Sequence, residues 1–143
     1  MKSIFIVLAV VIVAGMPVSS QGIKAPETVK KAFAVKFPNA TNVKWGKENA
    51  KEYEAEFKNG NSSIAANFNA DGSWVVTETT VTATDLPAGV SSAIAAKYPG
   101  STFSLIEKVE KPASKVYYEV SIKINNKKKM IEINPDGSFV KKS

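Results

Sequence analysis

Three stretches of this sequence bring together side chains that could do chemistry. The run Asn67-Phe68-Asn69-Ala70-Asp71-Gly72-Ser73-Trp74, read on to Glu78, nearly spells the calcium loop D-x-[DN]-x-[DN]-G-x5-E. It would offer Asn67, Asn69, Asp71, the Ser73 carbonyl and Glu78 as ligands, with Gly72 at the sharp turn. Glu52, Glu54 and Glu56 alternate along one stretch, which puts their carboxylates on one face of a strand about 7 Å apart. Such carboxylates do acid/base work where burial pushes their pKa values apart. A serine and a lysine also stand near each other in Ser91-Ser92-Ala93-Ile94-Ala95-Ala96-Lys97, too far apart for an S-x-x-K frame.

The chain is written twice, and the second copy tests the first. Residues 26–40, PETVKKAFAVKFPNA, align without a gap on residues 87–101, PAGVSSAIAAKYPGS, at an offset of 61. Further on, EYEAEF (52–57) matches YYEVSI (117–122) and NADGSW (69–74) matches NPDGSF (134–139), both at an offset of 65. Four residues around Lys111-Pro112-Ala113-Ser114 make up the difference. The second copy of the calcium-like run gains Pro135 and has Ser143 where the last ligand would stand, yet keeps Asp-Gly-Ser-aromatic. A feature that survives without its ligands is a hairpin turn, with Gly72 and Gly137 closing it. Of the three alternating glutamates only one, Glu119, is repeated, so they read as a solvated strand face. No metal or other cofactor is expected.

Composition excludes further classes. The 143 residues contain no His and no Cys, which removes Ser/His/Asp and Cys/His catalysis, His-ligated zinc and any disulfide framework. Lys2, the apolar run Ile4–Ala14 and small residues Val18 and Ser20 have the layout of an export signal cut after Ser20. That run is shorter than the roughly 18–20 apolar residues that span a bilayer, so no membrane span is expected after cleavage, and a periplasmic or secreted location is. The formal charge is +6, and all 19 basic residues are Lys. Without Arg, bidentate reading of phosphate and base edges is lost, so nucleic acid is not the expected partner.

The elements that position these residues follow from periodicity. Val29, Phe33 and Phe37, and again Val90, Ile94 and Tyr98, recur at i, i+4, i+8 with Ala32 and Ala93 beside them, predicting one apolar-striped helix per copy. Pro26 suits a helix start, Asp85 is the expected N-cap of the second helix, and Pro38 and Pro99 end both. Short alternating runs follow, with hairpins at Asn59-Gly60 and Asn125-Asn126. The expected unit is a helix and four antiparallel strands: an α+β fold built as a tandem αββββ repeat, its helices packed on one face of the sheet. Residues 1–20 are read as the signal, 21–25 as a linker, 26–84 and 85–143 as the two repeats. The Thr-rich segment Thr77–Thr84 is the expected connection. In the strand Lys115–Ile124 the core set is even-numbered. Tyr117 and Lys123, with Lys128 and Met130 of the next strand, are therefore expected on the helix-free face, where they form the candidate partner-binding surface. Val75 and Val140 are off-phase in the same way. The run Lys127-Lys128-Lys129 reads as a solvated hairpin that discourages edge pairing.

The pattern Leu86-Pro87…Val90…Ala93-Ile94…Lys97-Tyr98-Pro99-Gly100, the YEAEF strand and the NADGSW hairpin together resemble the beta-lactamase-inhibitor-like, PepSY-like family of exported Bacteroidetes proteins. The resemblance covers both copies. It implies the tandem fold and an exported location. It also implies a protein that holds or restrains a protein or peptide partner rather than an enzyme. Two other readings stay open: a small-ligand or envelope-surface binder, and a hydrolase using Lys or carboxylates.

Overall fold

A computed structural model describes residues 22–140. The expected signal, residues 1–20, lies outside them, as do Lys141 and Ser143. Helices α1 (Glu27–Lys36) and α2 (Ala88–Lys97) open the two repeats, each preceded by a proline with φ of −57° or −55°. Each ends before Phe37-Pro38 or Tyr98-Pro99, because the residue ahead of a proline is pushed out of the α region. Phe37 and Tyr98 accordingly sit at φ −128° and −131°. Asp85 does not cap α2. Its carboxylate accepts from the Thr82 N–H at 2.7 Å and the Thr82 hydroxyl at 2.6 Å, fixing a 3-10 turn over Ala83–Asp85 instead. Leu86 and the N-cap Pro87 separate that turn from the helix.

Strands β1 (Thr41–Lys47), β2 (Glu52–Asn59), β3 (Ser62–Asn69), β4 (Trp74–Thr80), β5 (Thr102–Lys111), β6 (Lys115–Ile124) and β7 (Lys127–Ile133) form one antiparallel sheet in sequence order. The eighth strand of the expected plan is reduced to a bridge between Ile133 and Phe139, reinforced by the Val140 N–H to the Glu132 carbonyl at 2.9 Å. The β6–β7 hairpin turns on Asn125 and Asn126, both at positive φ, as its two-residue loop requires.

The two repeats are joined within the sheet. Thr77 to Thr80 pair with Glu110 to Glu107, so half of the segment expected to connect the copies is strand β4. Threonine is β-branched and suits a pleated surface, so a Thr-rich run is compatible with a strand as well as with a connection. The connection is Val81–Pro87. The four-residue insertion lengthens the seam between β5 and β4. In the first repeat the β1–β2 ladder ends at Lys47↔Tyr53, whereas the matching pair Lys108↔Tyr118 is followed by three more, to Lys111↔Lys115. Two residues of that extension, Val109 and Glu110, pair with Glu78 and Thr77.

One cross-strand row, Phe57–Ile64–Thr79–Lys108–Tyr118–Ile133, passes through both apolar cores. Both helices therefore cover the same face. Under α1 the core is aromatic: Phe33 lies with ring centroids 5.5, 5.3, 5.0 and 6.3 Å from Phe37, Trp45, Phe57 and Phe68. Ala25, read as linker, is buried in this cluster. Under α2 the core is mainly aliphatic, with Val90, Ile94, Ile106, Val120, Ile122, Ile131 and Ile133 beside Tyr118.

Candidate functional site

The calcium-like stretch is a hairpin turn in both copies. In the first, Asp71 accepts from the Ser73 N–H at 2.8 Å and its hydroxyl at 2.6 Å, and the Asn69 amide donates to the same hydroxyl at 2.9 Å. Asn134, Asp136 and Ser138 repeat those bonds at 2.9, 2.6 and 2.9 Å. These bonds hold the Asp71 and Asp136 carboxyls below the usual range, the serine hydroxyl being the larger cause. Glu78, the would-be last ligand, stands on the sheet among other glutamates. Each turn is also clasped from its helix: Lys36 lies 3.5 Å from the Trp74 ring centroid and Lys97 lies 4.0 Å from that of Phe139. This motif positions structure.

The chemistry that the sheet does assemble lies on the face away from the helices. Strand register places there Glu52, Glu54 and Glu56 of β2, Glu78 of β4, Glu107 of β5, Glu119 of β6 and Glu132 of β7. These are seven of the chain's 13 acidic residues, in a protein whose formal charge is +6. Glu107, Glu119 and Glu132 are direct cross-strand partners, an arrangement that repels. Among the described residues, the ion pairs Lys30–Glu27 and Lys108–Glu110 lie away from this face, and Lys111 acts on Glu78 and Glu119 from its border. Burial is the main reason that Glu54 and Glu78 are raised to about 7. Glu48, Glu56 and Glu78 add to the rise at Glu54. Glu119, Glu107 and Glu48 add to it at Glu78, against Lys111. Glu107 and Glu119 are raised as well, again first by burial.

A carboxyl raised on folding binds its proton more tightly in the folded state. The stability this confers is complete below the unfolded-state value and is lost as pH rises from about 4.5 to about 7. Asp71, Asp85, Asp136 and Glu27 are lowered, and their contribution disappears in more acid solution. Thermal melts should therefore show a maximum near pH 5 and a loss on the order of 5 °C by pH 8, the half-exposed glutamates being partly screened. Glu78→Gln should shallow that decline. A melting temperature that climbs from pH 5 to pH 8 would contradict this.

The four residues expected on this face stand there: Lys123 pairs with Lys128, Met130 with Ser121, and Tyr117 with Val109. Lys123 and Lys128 are exposed and Met130 half-buried, but Tyr117 is only 5% exposed. Val76 and Val109 pack with it, Val75 and Val140 flank them, and its hydroxyl reaches the Glu119 carboxylate at 3.4 Å. Tyr117 thus forms the floor of the face rather than its contact surface. The inserted residues that lengthen β5 bring Val109 to it. The sequence reading missed Leu105, 40% exposed on this face in the row Leu105–Ser121–Met130. A bulge between Phe103 and Leu105 shifts the period-two phase there, and nothing in the sequence marks it. It also missed Glu78, Glu107 and Glu132, whose proximity depends on register between distant strands. At the first-repeat end, Lys44, Glu56, Lys58, Ser63, Glu78 and Glu107 border a shallow depression of about 700 Å³.

No curated protein matches the chain. Among solved structures, a DUF2874 family protein from Bacteroides uniformis aligns at TM-score 0.77 and 25% identity, over 82% of this chain and 88% of that one. A "putative periplasmic" protein from Bacteroides eggerthii aligns at TM-score 0.77 and 24% identity, over 82% and 87%. A BLIP-like protein from Bacteroides fragilis aligns at TM-score 0.75 and 21% identity, over 85% and 87%. These likenesses carry the fold. The family model described as "Putative beta-lactamase-inhibitor-like, PepSY-like" matches residues 16–64 and 51–141, which takes in both helices and all seven strands. With helix, hairpin turn and helix-clasping lysine present twice and in register, the chain belongs to the beta-lactamase-inhibitor-like, PepSY-like family.

Proposed function

We propose that this protein is an exported, non-enzymatic binding module that holds a protein or peptide partner on the helix-free face of its sheet. The observation that carries the reading is that face itself: seven strands in one continuous sheet, with both helices on the other side. The inhibitor-like family and the periplasmic relative support export and partner binding. Lys123, Lys128 and Met130 are available for contact, and buried Tyr117 stiffens the surface beneath them. Glutamates near 7 are potential proton carriers, but burial and mutual repulsion account for them, and the chain has no His or Cys to complete a nucleophilic pair. The depression beside Glu56 and Glu78 is the feature among the described residues that favours a small ligand instead.

A photo-crosslinking side chain at Ser121, on the helix-free face of β6, should give a discrete adduct in the native envelope, while one at exposed Lys31 of α1 should not. Adducts from Lys31 alone would reject the face. Turnover of a hydrolase substrate that Glu78→Gln abolishes would reject the non-enzymatic reading. N-terminal sequencing of the exported protein should begin at Gln21.

A further inference from the structure

The two repeats provide a control within one molecule. Because they share a fold, positions where they differ on the same face are not dictated by folding. In the first repeat the rows crossing this face read Lys44–Glu56–Ala65 and Gly46–Glu54–Asn67. At the matching positions the second repeat reads Leu105–Ser121–Met130 and Glu107–Glu119–Glu132. In one row the second copy has thus replaced Lys44 by Leu105, enlarged Ala65 to Met130 and exchanged Glu56 for Ser121, and in the next it has gained two carboxylates around the shared Glu54/Glu119 position. Leu105 is 40% exposed, and three glutamates in direct opposition repel one another. Strand spacing makes that row about 10 Å long, within reach of one or two long basic side chains. Beyond it, Lys123 and Lys128 mark a basic rim next to the apolar row.

We propose that the second-repeat half of the helix-free face docks a cationic, apolar-anchored segment of a partner protein, with Lys or Arg heads over Glu107, Glu119 and Glu132 and an apolar side chain on Leu105 and Met130. This rests on the reading of the sheet face as the binding surface, and narrows it to one half and one partner chemistry. Charge complementarity selects the occupant. A second copy meeting face to face would oppose the same carboxylates, whereas a basic segment neutralises them and leaves Leu105 and Met130 to be desolvated. Burial raises both Glu107 and Glu119, and at Glu119 the neighbouring Glu132 and Glu107 carboxylates add a repulsion that an incoming cation relieves. The groups facing this row are Thr80 and Glu78 of β4, Lys111 of β5, Tyr117 and Lys123 of β6 and Lys128 of β7.

The test uses the exported form of the chain, purified after processing, and three labelled peptides of equal length alternating Leu with Lys, Ser or Glu. At pH 7.5 the Lys/Leu peptide should perturb backbone amides of β5, β6 and β7 and leave α1 unmoved. Its affinity should fall about tenfold in E107Q/E119Q/E132Q and about fivefold in Leu105→Ala/Met130→Ala, with the fold of both variants checked by their amide spectra. Binding that ignores Leu105→Ala/Met130→Ala is charge adsorption and overturns the inference. Equal binding of the Ser/Leu peptide at the same amides also overturns it, while leaving the face as the binding surface. Amide shifts in β5–β7 that depend on chain concentration without peptide make a second copy the occupant and overturn it too. Failure of all three peptides, together with crosslinks only from α1, would remove both the inference and the reading beneath it.

Discussion

Phe33→Ala should cost about 3–5 kcal/mol in equilibrium denaturation. Phe33 is the hub of the first repeat's core, in contact with four aromatic rings and only 7% exposed. Phe37, Trp45, Phe57 and Phe68 come from a helix end and three strands, and they cannot close over the cavity together. Its counterpart Ile94 is buried among branched aliphatic side chains, and Ile94→Ala should cost about 2–5 kcal/mol. The distribution of the damage is more informative than its size. The two cores are separate clusters, joined by four β4–β5 residue pairs and the small Val76–Val109–Tyr117 cluster. Native-state hydrogen exchange of Phe33→Ala should show β1 to β3 losing protection while β6 and β7 keep most of theirs. Equal loss across all strands would mean that the seam couples the repeats into a single unit.

Gly137→Ala should lower stability by about 3 kcal/mol, or about 10 °C in melting temperature. Gly137 sits at φ +86°, and a Cβ there would lie 2.7 Å from the Gly89 carbonyl oxygen. That oxygen belongs to the first turn of α2 and cannot move without unseating the helix. Gly72, at φ +87°, has the matching position against α1, where a Cβ would lie 3.1 Å from the Thr28 carbonyl oxygen. Gly72→Ala should thus be the milder change, about 1–2 kcal/mol, mostly from backbone conformation. Equal losses at both positions would show that φ alone sets the cost.

How much of this was legible in the sequence varies by residue. The helices were, because Val29/Phe33 and Val90/Ile94 repeat at helical spacing and prolines bracket both. The turn at Asn69–Ser73 was, once its twin at Asn134–Ser138 was set beside it. The role of Thr77–Thr80 was not, since a strand between two strands is fixed by pairing partners more than by its own residues. Tyr117 was assigned to the correct face by alternation, yet its burial depends on Val109, delivered by β5 only because the insertion lengthens that strand. The glutamate row needed three strands in register. Alternation says which face a residue takes; it does not say which residues of other strands it will meet.

The β4–β5 seam also sets the scale of what this protein can hold. One repeat offers four strands, which at about 4.8 Å apart and about 20 Å long present a plate of roughly 300 Å². Joined through β4 and β5, the seven strands span about 29 Å and present roughly 600 Å². A stable protein interface needs about 800 Å² from each partner. A lone copy falls far short of that footprint, and the fused sheet with its flanking loops approaches it. Shortening the β5–β6 hairpin would remove the Thr77–Glu110 and Glu78–Val109 pairs, half of the seam that holds the two plates as one surface.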